Sequence, residues 1–285
     1  MESADLHMHT TASDGTDSVD ERVEQAKENG IRCIAVTDHD AIPDELNNQV
    51  EKRSGVEVIT GSEIKCEVDG EKIEILAYFI DPEEDSTNKI FKQLKKNRQN
   101  RMKEMVRKLD SEIREDIRYQ DVVSRADGTV GRPHLAKTLE EKSVVKTSEE
   151  AFEKLIGSKH EAYVETPKIP AEKVINLVHE AGGVTSLAHP GRSLEKEEAF
   201  EKVKKLKQAG LDAIEVEYTY QQKIERDSFT IHFAEDYARQ IADRLDLLKT
   251  GGTDCHGSNS EKFNIGDVTI PYKRVEKLRS RASGL

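Results

Sequence analysis

Residues 5–15 read DLHMHTTASDG: two histidines one residue apart, then a polar loop with an aspartate before a glycine. In a strand, side chains alternate faces, so His7 and His9 point the same way. The first strand of a barrel is normally buried, and two buried imidazoles need partners, which a metal ion supplies. Similar groups recur at the ends of other strands. TDHD closes the second and offers Asp38, His39 and Asp40, while TGSEIK puts Glu63 on the third. LAHPGR ends a strand with His189, and TDCHG ends the last with Asp254 and His256, again spaced to share a face. Asp14 sits in the loop after the first strand. Any one of these reads as an ordinary buried polar group. Five strand ends finishing in imidazole or carboxylate read as a metal cluster, at the end of a barrel where catalytic residues collect. Cys255 falls on the opposite face from its neighbours and reads as packing. His179 and His232 read as helix packing or surface, and His160 as exposed.

Around these positions short apolar runs alternate with amphipathic stretches, the pattern of βα units. Ser18 and Glu21 form a capping box, and Val19, Val23 and Ala26 then repeat at helical spacing up to Gly30. IRCIAVTDHD, VEVITGSEIKCEV and KIEILAYFI follow as strands, the last two joined through the hairpin signal Asp69-Gly70. Helices over 171–181, 196–209 and 229–244 lead into GGVTSLAHPGR, LDAIEVEY and DLLKTGGTDCHG. Between about 86 and 166 the strand pattern stops, and the chain reads as charged helix. The expected architecture is therefore an α/β barrel in two parts, 1–88 and 167–285, with a helical insertion subdomain over 89–166.

The chain has 285 residues and a formal net charge of −12, which argues against a uniformly nucleic-acid-binding surface. The charge is uneven. Positions 89–108 hold nine Lys or Arg and one acidic residue, a local balance of 9 − 1 = +8, leaving −12 − 8 = −20 for the remainder. The segment reads as a solvated helix face over a buried stripe of Phe91, Leu94, Met102, Met105, Val106 and Leu109, or as a basic arm that guides a polyanion. Three widely spaced cysteines (Cys33, Cys66, Cys255) without a CxxC pair fit a reduced cytoplasm. No apolar run approaches the roughly 20 residues of a membrane span, and no basic-plus-apolar leader precedes DLHMH, so the expected location is cytoplasmic.

Taken in order, DLHMHT…SDG, AVTDHD, GSE, GRPH, AHPGR and TGGTDCHG resemble the polymerase and histidinol phosphatase (PHP) family over nearly the whole chain. The long spacer with GRPHLA and the phrase EAGGVTSLAHPGR resemble the branch of bacterial 5′→3′ exoribonucleases and nucleoside 3′,5′-bisphosphate phosphatases. The resemblance implies a distorted (β/α)7 barrel with two or three divalent metals, Mn2+ foremost, with Zn2+ or Fe2+ as alternatives. It assigns one site to His7, His9, Glu63 and Asp254, a second to Asp14, His39 and His256, and a third to Glu63 with His189. One position departs from the pattern. The branch has HILGYFID where this chain has EILAYFID, so Glu74 stands in place of a histidine ligand. With a two-residue turn at Asp69-Gly70, Lys65 faces Glu74, and Glu63 and Glu74 become a diagonal pair within reach of one ion. Either Glu74 is a ligand that shifts preference toward harder ions, or it pairs with Lys65 and the third site weakens.

Clustered metals lower the pKa of a bound water toward ~7 and clamp phosphoryl oxygens, so a metal-activated hydroxide would be the nucleophile with no protein base assigned. Arg132 and His134 in GRPH, Lys168 in ETPK and Arg192 in HPGR are candidates to bind the substrate phosphate. The implied function is a phosphoesterase acting on a nucleoside 3′,5′-bisphosphate, or removing nucleotides 5′→3′ from short oligonucleotides. The alternatives are a phosphatase of a small metabolite such as histidinol phosphate, a metal-dependent amidohydrolase, and a non-catalytic metal-binding module associated with nucleic acid. No membrane and no protein partner is implied.

Overall fold

The computed structural model describes residues 2–109, 113, 116–125, 130–165, 167, 169–220, 230–258 and 263–283. Among them nine strands form: β1 (Ser3–Asp5), β2 (Cys33–Val36), β3 (Val50–Arg53), β4 (Val56–Val68), β5 (Glu71–Tyr78), β6 (Val184–Leu187), β7 (Ala213–Glu217), β8 (Leu248–Gly251) and β9 (Ile270–Pro271). They join in one mixed sheet of order β8-β7-β6-β5-β4-β2-β1-β9, with β3 alongside β4. β1, β2 and β4 run parallel, as do β6, β7 and β8. Such strands are covered on both faces, which is why CIAV is apolar and buried throughout.

β5 is antiparallel to both of its neighbours. The cause is local: Asp69 and Gly70 take φ of 50° and 86°, and a two-residue turn with positive φ at both positions reverses the chain at once. The turn sets the register Glu63↔Leu76 and Lys65↔Glu74. The ends of the sheet meet where the Leu6 N–H donates to the Gly251 carbonyl (3.1 Å) and Met8 bridges Cys255. A Cβ on Gly252 would lie 2.4 Å from the backbone nitrogen of His7, so this junction tolerates only glycine. The result is a mixed sheet nearly closed into a barrel and flanked by helices.

Several expectations need correction. β1 ends at Asp5, so His7 and His9 lie beyond the strand, where single backbone bonds and the Met8 bridge continue the pairing. Alternation survives, because Met8 packs with Cys255, Ile34 and Val36 while the rings of His7 and His9 turn together, centroids 5.4 Å apart. The polar edge strand β3, VEKR, was not anticipated; it carries no apolar alternation to betray it. His232 is not helical. The helix Glu235–Leu245 starts after it, where Glu235 and Asp236 supply the acidic first turn that favours a helix N-terminus. The helix Val19–Glu28 begins at the Ser18–Glu21 capping box.

The chain divides into two compact units, Met1–Ile90 with Lys168–Leu285, and Phe91–Pro167. The second has no strand among its described residues. Its core includes Met102, Met105, Val106 and Leu109 packed with Ile117, Leu135, Leu139 and Ile156. Of the expected buried stripe, Phe91 is only partly buried, while Lys92, Lys95 and Lys96 are exposed. Among the described residues no helix is long and apolar enough to cross a membrane.

Candidate metal centre

Glu63 is the hub of the cluster. It enters from β4 and is 1% exposed, although its chain neighbours Ser62 and Ile64 point elsewhere. Its Oε1 accepts from His189 Nε2 at 2.8 Å and lies 3.4 Å from His7 Nε2. Its Oε2 lies 2.9 Å from His39 Nδ1 and 3.5 Å from His9 Nε2. Asp254 Oδ1 faces the same space, 3.0 Å from His9 Nε2 and 3.5 Å from His7 Nε2. Asp14, half-exposed on the loop, reaches within 3.5 Å of His256 Nε2 and 3.8 Å of both His9 Nδ1 and His39 Nε2.

Four overlapping groups result, each with ligand atoms within 4.8 Å of one another: His7/His9/Glu63, His7/His189/Asp254, His9/Asp14/His39/His256 and His39/Glu63/Glu74. All nine residues read as ligands from the sequence are thus brought together. Glu74 is placed between the two readings of it: Oε2 is 3.3 Å from His189 Nε2, and Oε1 is 3.8 Å from His39 Nδ1 and 3.7 Å from Lys65 Nζ. Lys65 is 48% exposed, and an ion pair so open to water contributes little.

The cluster fits a divalent cation on its own donors. His7 Nε2, His9 Nδ1, His39 Nδ1 and His189 Nδ1 are buried without a hydrogen-bond partner, although each belongs to a ring facing carboxylates. A buried polar atom left unpaired costs about 1–3 kcal/mol, and mixed imidazole and carboxylate donors are what Mn2+, Zn2+ and Fe2+ take. The metal-free protein compensates with protons. Burial disfavours charge on His7, but Glu215, Glu63 and Asp254 outweigh it and hold the ring's pKa well above the usual value. Burial likewise pushes the Glu63 and Asp254 carboxyls up, and the surrounding imidazoles bring both well below the usual carboxylate range. Entry of a metal must therefore release protons.

The backbone is strained at two of these residues: φ is 55° at Asp254 and 24° at His189, where side chains other than glycine rarely sit. The carboxylates flanking His39 are structural. Asp38 accepts from the Thr10 N–H (2.8 Å), the Thr10 hydroxyl (2.7 Å) and the Ser13 hydroxyl (2.5 Å), which pins the Asp14 loop. Asp40 accepts from the Lys65 N–H at 3.0 Å.

Of the substrate candidates, Arg192 is at the cluster: it donates to Asp254 Oδ2 (3.2 Å) and to the Tyr218 hydroxyl, which itself donates to Asp254 Oδ2 at 2.9 Å. Arg132 and His134 belong to the second unit. There His134 Nδ1 accepts from the Gly131 N–H at 3.0 Å, capping the helix Arg132–Glu141, and the Arg132 guanidinium lies 5.3 Å from the Tyr163 ring centroid. Lys168 lies outside the described residues. Two contacts escaped the sequence reading. Tyr218 is one; Glu215 is the other, wholly buried on β7 against His7 and His189. Its place between Ile214 and Val216 in AIEVE was a usable signal, since a lone carboxylate in a buried strand is costly without a task.

The PHP domain model matches residues 5–218, three quarters of the chain. The chain belongs to the PHP domain family. Its relatives in that family include a 5′-3′ exoribonuclease of Haemophilus influenzae, 33% identical over 190 residues, which cover 66% of this chain and 69% of that one. A phosphoribosyl 1,2-cyclic phosphate 1,2-diphosphodiesterase of Eggerthella lenta is 25% identical over 92% of this chain and 97% of its own length. A 3′,5′-nucleoside bisphosphate phosphatase of Chromobacterium violaceum is 24% identical over 93% and 91%. Among solved PHP-like structures, one from Bifidobacterium adolescentis assigned as a metal-dependent phosphoesterase superposes with a TM-score of 0.76 at 28% identity, covering 99% of this chain and 97% of that one. This PHP protein is an enzyme of the metal-dependent phosphoesterase class.

Proposed function

We propose that the protein hydrolyses phosphate esters of nucleotides: the phosphate of a nucleoside 3′,5′-bisphosphate, or the 5′-terminal linkage of a short oligonucleotide. The observation that carries this is the convergence of nine ionisable side chains on one largely buried space with imidazole nitrogens unpaired. We assign His7, His9, Glu63 and Asp254 to one ion, Asp14, His39 and His256 to a second, and Glu63, Glu74 and His189 to a third. Mn2+ is the preferred metal, because Glu74 in place of an imidazole makes the third site more carboxylate-rich. When bound, such ions supply a nucleophile from water near neutral pH and neutralise charge on the phosphoryl oxygens.

The chain's own residues do the remaining work. Glu63 and Asp254 hold the imidazoles in register. Arg192, tied to Asp254 and Tyr218, presents a guanidinium that can orient a phosphate through two parallel bonds, which an ammonium cannot. In the second unit, which we read as a helical insertion subdomain over 89–166 between barrel parts 1–88 and 167–285, Arg132 and Arg101 flank the same tyrosine ring. Their guanidinium carbons lie 5.3 and 5.6 Å from the Tyr163 ring centroid, and neither has a carboxylate within ion-pair distance among the described residues. Two cations held so suit a phosphate group. Arg132 and His134 there, and Lys168 at the start of the second barrel part, are the proposed substrate contacts, and the site of action is the cytoplasm.

The test is a panel with Mn2+: adenosine 3′,5′-bisphosphate, 5′-phosphorylated short RNA and DNA, and histidinol phosphate, scoring phosphate and mononucleotide release separately. Turnover of the first two classes well above histidinol phosphate is the expected outcome. Preference for histidinol phosphate would replace the nucleotide reading with the small-metabolite one.

A further inference from the structure

We propose that Glu215 is a positioning residue that sets two metal ligands at once, through the ring of one and the backbone of the other. The inference rests on the metal centre assigned above. Glu215 sits in the middle of β7, wholly buried, on a strand paired on both sides by parallel neighbours. Its two oxygens are divided. Oε1 lies 3.0 Å from His7 Nδ1, and Oε2 accepts from the His189 N–H at 2.7 Å. With Oε1 as the acceptor of this bond, His7 Nδ1 is its donor, and the ring nitrogen left to face a metal is Nε2. That atom is the one aimed into the cluster, 3.4 Å from Glu63 Oε1 and 3.5 Å from Asp254 Oδ1.

The second oxygen acts on conformation. His189 has φ 24° and ψ 60°, a backbone geometry that needs support from its surroundings. A charge-assisted bond to its N–H supplies that support, and from this backbone the ring reaches Glu63 Oε1 (2.8 Å) and Glu74 Oε2 (3.3 Å). Among the described residues no lysine or arginine lies within ion-pair distance of Glu215. Its ion-pair partner is the His7 ring itself, and a buried pair adds little over apolar packing, so stability alone does not account for it. Orientation of metal ligands does, and partners beyond the ligands themselves have that effect elsewhere.

Glu215→Gln separates the roles. The amide fills the same space but has one acceptor oxygen and a donor NH2, so it can satisfy only one of the two N–H groups. Metal-free wild-type and variant protein are titrated with Mn2+ against a chelator. Binding at the positions that use His7 and His189 is expected to weaken about 10–100-fold, while the ion held by Asp14, His39 and His256 keeps its affinity. In 15N spectra of Zn2+-loaded wild type, His7 is expected to carry its proton on Nδ1. Unchanged Mn2+ affinity in Glu215→Gln, or His7 bound to metal through Nδ1, overturns the inference. The spectrum decides the matter even if the variant does not fold. Failure of the metal-centre reading looks different: wild type then binds no metal.

Discussion

At the end of the barrel where β2 and β4 begin, Glu57 accepts from the Tyr272 hydroxyl (3.1 Å), Cys33 Sγ (3.2 Å) and Arg279 Nη2 (2.5 Å), and the Arg32 guanidinium lies 3.6 Å from the Tyr272 ring centroid. At the other end, Glu63 and Asp254 face five histidines, four of which have a buried nitrogen with no hydrogen bond. Glu57 is half-buried, and Glu63 and Asp254 are buried. One end supplies its carboxylate with donors of matching geometry, and the other leaves imidazoles unpaired at about 1–3 kcal/mol per atom. A fold selected for stability alone would have paired those atoms or removed them. The contrast separates a polar network that holds a barrel together from one that waits for cations.

The sharpest way to break this contrast is to make the same substitution at both ends. Glu63→Gln should reduce phosphate release more than about a thousandfold, since it removes a shared ligand and several kcal/mol of transition-state stabilisation. Glu57→Gln should leave turnover within about twofold and lower unfolding free energy by about 1–3 kcal/mol in urea titrations. Equal losses of activity would erase the distinction.

Next comes the third position. Glu74→Ala should release one ion per chain, counted by elemental analysis, and lower kcat roughly tenfold, one decade being about 1.4 kcal/mol. If both Glu74→Ala and Glu74→His keep the wild-type metal count and rate, Glu74 is a partner of Lys65 and no ligand. A smaller effect concerns binding alone: Arg132→Ala should raise KM for adenosine 3′,5′-bisphosphate several-fold with kcat little changed, a loss on the order of 1 kcal/mol.

The last effect is on stability rather than turnover and is read against pH. Asp5, buried beside the junction of β1 and β8, accepts from Thr253 N–H (3.0 Å) and its hydroxyl (2.8 Å). Burial nonetheless raises its carboxyl from 3.8 to about 6. The folded state therefore binds the proton more tightly, so this contribution is fully present below about pH 3.8 and is lost as pH rises through 6. Wild type should lose on the order of 3 kcal/mol relative to Asp5→Asn across that window in metal-free protein. A difference that does not vary with pH would show that burial leaves the Asp5 carboxyl unmoved.

Much of the mouth was legible because spacing dictates facing. His7 and His9, then Asp254 and His256, are two apart, and Asp69-Gly70 fixed the pairing that brings Glu74 near Glu63. What stayed hidden depends on the third dimension. Glu215 reveals its task only when β7 is seen together with the His7 and His189 segments, because its partners are 208 and 26 residues away. The closing junction at Gly252 and the edge strand β3 are likewise set by neighbours distant in sequence. Arg132 and His134 were legible as a motif, and their contacts place them in the second unit with its own core.

The central claim, that unpaired imidazoles mark a cation site, is tested most directly by counting metal. Metal-free protein loaded with Mn2+ and freed of excess should retain two or three ions per chain and release protons on binding, and Glu63→Gln should retain fewer. Retention of none by wild type, or the same number by Glu63→Gln, would contradict the account.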